Sequence, residues 1–540
     1  KQRALYIVSH CSMGLPNSSN SAVPKRMVSI DKQLVAALTA LLIFYTIVTL
    51  RTLLSMPELY RHKAFFHYHN HHVDQQQEIK LPPRAPDDIE ELRHIFPVHV
   101  RDDLEIIDHP GLAFASEPSR NEQLPPKLTV PKFWNPPAYK DVRRFLGNYG
   151  ETLIKPEQAS QIGSYWNGLE TIYVSVASYR DPECSPTVDS IYARATHPDR
   201  VRVAVVLQRA DGDEFCPEPE QSCEANPEQA ICKYRHLIDV YEMDARLAVG
   251  PVFARHLGHR LYRGEFYAMQ VDSHVRFTKY WDEDIITQHK QAKNEMAVLT
   301  TYLSDLIGSI DPKTHENIHP DRPIMCNTDY EGSGQLKHLR HGQQPEGPPG
   351  IHGQPTLHPF WAAGFSFARG HFVVQVPYDQ YLPMVFQGEE ISMGLRGYTF
   401  GYDYYAAEKS ICFHMYAVKE NKTKRNKVAS FWENAPMYRG AGKAAMQRLN
   451  GIIGLIPPNV KYFDREENRY GLGKVRSVDK FYKIFGIHRE TQTVEKHLCR
   501  FVGKPMMRLF LPYLRPNGMG IDYDKIDYEF VDPVPKKDKR

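Results

Sequence analysis

The sequence predicts an α/β domain of nucleotide-binding type, carried behind one membrane anchor and a proline-rich stem. Three observations lead there. From Gly168 onward, short β-branched runs alternate with polar segments of helix length. Between Leu81 and Lys140 stand 11 prolines. The 17 residues from Leu34 to Leu50 carry no charge at all. The 540 residues leave room for two or three domains, and 42% hydrophobic with 24% charged residues is a globular composition. A net charge of +3 lends no support to nucleic acid as a partner.

In chain order, residues 1–33 read as a cytosolic tail and 34–54 as a transmembrane signal anchor. The uncharged run LVAALTALLIFYTIVTL would be about 25 Å long as a helix, enough for a thin bilayer. No polar face recurs in it at helical spacing, and RTLLSMPEL after it offers no small-x-small cleavage site. Basic residues flank both ends, so charge alone does not orient the span. One anchor ahead of so much chain favours a type II arrangement with the bulk in a lumen.

Residues 55–167 read as stem, because proline at that density breaks helices and central strands. The tract FFHYHNHH, with His67, His69, His71 and His72, reads as solvated juxtamembrane chain, metal binding being the other possibility. Cys11 precedes the anchor and seven cysteines follow it. An oxidising lumen would pair some, most simply within Cys216, Cys223 and Cys232, and leave at least one over. The luminal sequon Asn421-Lys422-Thr423 makes Asn421 a candidate glycosylation site.

The head occupies 168–420. Thr171–Ala177 and Val201–Leu207 are strands separated by the helix candidate Ser185–Thr196, a βαβ unit and so a parallel pair. A helix over Pro251–Tyr262 and strands over Glu265–Val271 and Phe360–Ala368 follow. Gly342–Pro359, rich in glycine and proline, reads as a long loop over a site. Residues 421–540 form an extension whose role the pattern leaves unread.

Chemistry concentrates at strand ends. In Gln270-Val271-Asp272-Ser273-His274 an extended chain puts Asp272 and His274 on one side, a carboxylate and an imidazole that suit a divalent ion such as Mn²⁺. A surface turn is the other reading. Ser178-Tyr179-Arg180-Asp181 closes the first strand at the same edge, where open α/β sheets bind ligands, and offers what a nucleotide needs: an aromatic face, a guanidinium and hydrogen-bonding groups. A turn before a helix explains it equally well. Gly364, in WAAGFSF, would let a ligand approach backbone, and Gln387-Gly388-Glu389-Glu390 sets two carboxylates after a glycine. His414 stands in an apolar run and reads as a core histidine or a ligand.

Taken in order, SVASYRDPEC, LYRGEFYAMQVDSHVRF, WAAGFSFARG and FQGEE closely resemble the polypeptide and hydroxyproline N-acetylglucosaminyltransferase family over Gly168 to Tyr416. The resemblance implies a GT-A fold, UDP-GlcNAc as donor, a divalent metal, and retaining transfer to a serine, threonine or hydroxyproline hydroxyl of a protein acceptor. By likeness to the more distant polypeptide N-acetylgalactosaminyltransferases it also implies Asp272 and His274 as metal ligands, His414 as a third, and Glu389 near the sugar. The element Gln387-Gly388-Glu389-Glu390 departs from their paired glycines, which leaves Glu389 and Glu390 both candidates. Ser178, Tyr179, Arg180, Asp181, Arg255, Arg263, Gln270, Asp272 and Gly364 are then the expected nucleotide-sugar contacts. Golgi membrane is the expected location, with the ER membrane as alternative. Another UDP-sugar on the same fold, or an inactive sugar-binding scaffold, are the alternative functions.

Overall fold

The head is organised by an eight-stranded mixed sheet whose inner strands are almost wholly apolar. The computed structural model describes residues 103–115, 124–457 and 459–532, all within one compact unit that begins at Ile89. The expected tail, anchor and histidine tract lie outside the described residues. Among those described, no helix is long and apolar enough to cross a membrane.

A small antiparallel ribbon comes first, β1 (Leu104–Asp108) against β2 (Lys127–Pro131). Then come β3 (Ile172–Tyr179), α1 (Cys184–Ala193), β4 (Val201–Arg209), β5 (Ile238–Asp244), α2 (Pro251–Leu261) and β6 (Tyr267–Asp272). After β6 follow β7 (Val275–Phe277), α3 (Trp281–Gln291), β8 (Ala297–Thr300), β9 (Thr356–His358), β10 (Phe365–Arg369), α4 (Glu389–Thr399), β11 (Asp403–Ala406) and β12 (Cys412–His414). The sheet order is β9-β11-β8-β10-β6-β3-β4-β5. Four strands, β5, β4, β3 and β6, run parallel, and β10 enters antiparallel to both β6 and β8. Strands covered on both faces are mostly apolar, as the largely buried IYVSVAS of β3, with two small serines, and VAVVL of β4 are.

Two registers place the site. In β3 against β6, Ala177 lies opposite Asp272, so Tyr179 and Asp181 run on beside the turn after β6. In β6 against β10, Phe365 lies opposite Val271, so Gly364 arrives beside Asp272. Outside the main sheet, β7 pairs antiparallel with β12, with His414 opposite Val275.

The structure corrects several expectations. The stretch read as stem is folded where it is described: Leu128, Val130, Val142, Leu146, Ile154 and Ile162 are buried in the main core. Its described prolines sit at ribbon ends, in turns and at the first positions of short helices (Pro110, Pro156), where the absent N–H is no loss. The expected strand over Phe360–Ala368 begins only at Phe365, and the expected loop over Gly342–Pro359 contains the edge strand β9. Cys216 pairs with Cys184, outside the group expected to pair internally, while Cys223 bonds Cys232 and Cys326 bonds Cys499. Cys412 is the free, buried thiol among the described residues. The extension after residue 420 shares the same core through Phe481, Phe485, Phe510 and Tyr523.

Candidate active site

A cleft of about 890 Å³ opens at the C-terminal ends of β3 and β6. Asp272, the last residue of β6, and His274, in the turn before β7, project into it, as strand alternation dictates. Main-chain bonds hold that turn. Thr187 of α1 donates its hydroxyl to the carbonyls of Ser273 and Val275, at 2.8 and 2.9 Å. Met415 N donates to the carbonyl of His274 at 2.9 Å, and His414 N to that of Ser304 at 3.0 Å. The β12 strand therefore lies on the turn and brings the second imidazole, His414, in.

The three side chains converge. His274 Nε2 and His414 Nε2 are 2.8 Å apart, and His414 Nε2 is 3.4 Å from Asp272 Oδ2. One ligand atom from each of the three lies within 4.8 Å of the others. Asp181 is the orienting partner. Its Oδ2 accepts from His274 Nδ1 at 2.7 Å, and an acceptor-only carboxylate there puts the ring proton on Nδ1 and the Nε2 lone pair toward the cluster. Ser273 Oγ turns the other way and donates to the same oxygen at 3.2 Å. One carboxylate and two imidazoles, backed by a second carboxylate, fit a divalent transition ion better than Ca²⁺ or Mg²⁺, which prefer oxygen throughout.

Arg255 ties this cluster to the second acidic pair. It lies one turn into α2, which starts at Gly250 and Pro251. Its Nη2 donates to Asp272 Oδ1 at 2.6 Å and its Nη1 to Glu389 Oε1 at 2.5 Å. Glu389 and Glu390 open α4 after Gly388, which takes the left-handed φ of +99° that glycine reaches without strain. Burial raises Glu389 from its ordinary value, against the pull of Arg255. Burial and then the Glu389 charge push Glu390 up to about 8. Burial opposes ionisation of Asp272 too, but the His414 hydrogen bond and the Arg255 charge outweigh it and hold that carboxyl well below its usual value. Burial lowers His414, so a neutral ring meets the cluster.

Of the residues expected at the site, Tyr179, Asp181, Arg255, Asp272, His274, Gly364, Glu389, Glu390 and His414 line this cleft. A Cβ on Gly364 would stand 3.0 Å from Asp272 Oδ2, so glycine there lets the carboxylate lie against backbone. Four others do not line it. Ser178 faces the opposite side of β3, buried with its hydroxyl unpartnered. Arg180, at φ +50°, turns out to Asp213 and Glu433, each at 2.8 Å. Gln270 is a core residue, donating to the Ala363 carbonyl at 2.6 Å and the Tyr378 hydroxyl at 2.9 Å. Arg263 lies past the far end of α2, its Nη1 donating to the Arg260 and Tyr262 carbonyls. Asn421 precedes the short helix Lys422–Arg425, making no capping side-chain bond to it, and does not line the cleft.

Sequence reasoning missed Arg425, whose Nη1 donates to both Asp181 oxygens at 2.8 and 3.0 Å, and Tyr302 and Trp432 on the cleft wall. Arg425 hides in the solvated-looking run KENKTKRNK, and nothing local distinguishes it from its neighbours.

A family model described as glycosyltransferase (GlcNAc) matches residues 171–491, more than half of the chain and every residue of the metal-type cluster. The chain belongs to this glycosyltransferase family. No curated relative matches it. Among solved structures, this glycosyltransferase is similar at 14% identity and a TM-score of 0.34 to GalNAc-T7, crystallised with UDP, GalNAc and Mn²⁺; the match covers 68% of this chain and 66% of that one. It is also similar to S. aureus TarS residues 1–349 in complex with UDP-GlcNAc, at 15% identity and a TM-score of 0.29, over 65% of this chain and 88% of that one.

Proposed function

We propose that the cleft takes UDP-GlcNAc and that the chain, with a GT-A type fold, transfers N-acetylglucosamine with retention to a serine, threonine or hydroxyproline hydroxyl of a protein. The observation that carries this reading is the convergence of Asp272, His274 and His414 beside the Arg255–Glu389 pair, in a chain of a GlcNAc glycosyltransferase family. Asp272, His274 and His414 would hold Mn²⁺, whose charge offsets that growing on the UDP leaving group.

The chain's own residues divide the rest. Tyr179 presents an aromatic ring to the cleft for the base, with its hydroxyl held by Glu433 at 2.5 Å. Arg255 fixes Asp272 and Glu389 relative to each other, so the diphosphate end and the sugar end keep their spacing. Glu389 accepts from sugar hydroxyls, and Glu390, protonated near neutral pH, donates to the sugar. The acceptor oxygen bonds to the anomeric carbon as the bond from that carbon to the diphosphate oxygen breaks, on the same face, and the hydroxyl proton leaves with the diphosphate.

The reading extends to the compartment. Six of the seven cysteines that follow the anchor are joined in three disulfides, which supports an oxidising lumen. A Golgi membrane location, single-pass type II, rests on the anchor read over 34–54 from the uncharged run Leu34–Leu50, and glycosylation at Asn421 would go with it.

Incubating the full chain with Mn²⁺ and a panel of UDP-sugars, with and without serine/threonine or hydroxyproline peptides, tests the assignment through UDP release. UDP-GlcNAc with an acceptor peptide is expected to turn over fastest. Preference for UDP-GalNAc or UDP-Gal would overturn the donor, and release from no donor would indicate a sugar-binding module.

A further inference from the structure

A second cleft, of about 820 Å³, shares no lining residue with the first. Helix α2 links them: Pro251 and Arg255 face the donor cleft, while His259 and the following Tyr262 face this one. At the helical rise per residue, Tyr262 lies about 10 Å beyond Arg255 along that axis. One wall comes from residues 132–151, part of the stretch that reads as stem, and the other from residues 467–474 of the extension.

Its charges are unevenly matched. On the rim, Glu105 pairs with Arg260 and Glu151 with Lys474, and Asp141 accepts from its own helix and from Tyr149. The cations are less well served. Arg143 donates from Nη2 to two main-chain carbonyls, Gln375 at 3.2 Å and Arg469 at 3.1 Å, and its buried Nε has no partner. Among the described residues no carboxylate comes within ion-pair distance of Arg143 or Lys140, and Arg469 reaches Glu466 only at 3.9 Å. Burial first, then the Arg469 and Arg396 guanidiniums, press Arg143 down to about 10, with Tyr470 and Asp141 opposing. His259, buried in the same wall, has its Nδ1 unpartnered. Beside these lie Trp134 and the buried Val373 and Val374.

We propose that this cleft binds an acidic polypeptide segment, with a carboxylate of the segment between Arg143 and Arg469 and an adjacent apolar side chain against Trp134 and Val374. A uniformly anionic polymer fits poorly, because the rim carries carboxylates as well as cations and the floor is apolar. An acidic residue next to an apolar one matches both. The site does not depend on the reaction at the donor cleft, since its readout is binding.

Fluorescence anisotropy with the full chain and a fluorescein-labelled octapeptide alternating glutamate and phenylalanine tests it, against the same peptide with glutamine for glutamate. The glutamate peptide is expected to bind about tenfold or more tightly, and less tightly as salt is raised. Arg143→Ala should weaken binding about tenfold or more, and Arg143→Lys less, because lysine loses the bidentate fork. Lys140→Glu, at an exposed side chain that leaves the fold alone, should weaken it severalfold. Thermal melts identify a variant that has lost its fold, and UDP release at the donor cleft should stay at the wild-type rate. Equal binding of the two peptides, or wild-type affinity in Lys140→Glu, overturns the site. Heparin competing with the same dependence on Arg143 and higher affinity would overturn the peptide in favour of an acidic polysaccharide.

Discussion

His274 uses both ring nitrogens, Nδ1 toward Asp181 and Nε2 toward His414, so the two carboxylates around it have separable roles. On the proposed reading Asp272 would be a metal ligand, and Asp181 would orient one. His274→Ala should abolish metal-dependent UDP release with little change in melting temperature. Asp181→Asn should instead weaken Mn²⁺ affinity about 10–100-fold, the usual cost of an outer-shell partner, as read by titrating Mn²⁺ against activity. Glu390 carries a pH signature. Its value of about 8, against 4.5 for a free side chain, means the folded chain keeps a proton that the unfolded chain has lost. Glu389, Tyr302 and Arg255 are the charged and titratable groups that act on it. Stability should therefore fall as pH rises through that window, by at most about 1.4 kcal/mol per unit, and Glu390→Gln should flatten the slope in thermal melts. Asp272, His274, Glu389 and Glu390 were legible because each follows a strand or a glycine. Arg263 was misread because α2 runs back from the site, and eight residues beyond Arg255 carry the chain about 12 Å away.

At the scale of elements, α2 and α4 both begin at the cleft, after Gly250 and Gly388, and deliver Arg255 one turn in and Glu389 at the first position. Arg255→Met keeps the bulk but leaves Asp272 and the fully buried Glu389 without their shared cation. A loss of about 3–5 kcal/mol is expected by chemical denaturation, the cost of orphaning buried charge. Gly364→Ala sets a Cβ 3.0 Å from Asp272 Oδ2, so it should lower Mn²⁺ affinity while leaving stability nearly unchanged. Strands β3, β4 and β6 were readable to within two residues, because their apolar runs are continuous. The strand β5 was not, since Asp239 and Glu242 interrupt it; each is buried against an arginine of β4, Arg202 and Arg209, a compensation visible only in three dimensions. A three-residue edge strand such as β9, set among glycines and prolines, carries too little pattern to be seen at all.

For the whole molecule, a buried ion pair and a disulfide reinforce the core that the extension shares with the head. Asp403 of β11 forms a buried ion pair with Arg476 at 2.8 Å, and Cys326 bonds Cys499 across 173 residues of chain. Cys499→Ser should cost about 2–5 kcal/mol, seen as a lower melting temperature that reductant reproduces in the wild type. The proline density that reads as stem marks, from residue 124, chain folded into the head, because composition does not distinguish an exposed proline from one in a packed turn. The extension stayed unread for the opposite reason: its aromatic residues bury against strands far away in sequence, with no period of their own. Metal-dependent transfer at Asp272, His274 and His414 is read by following UDP release from UDP-GlcNAc by the full chain as Mn²⁺ is titrated, in the wild type and in His274→Ala. Saturable metal dependence in the wild type, with none in a folded variant, is the expected result; equal turnover in chelator, or in His274→Ala, would contradict it.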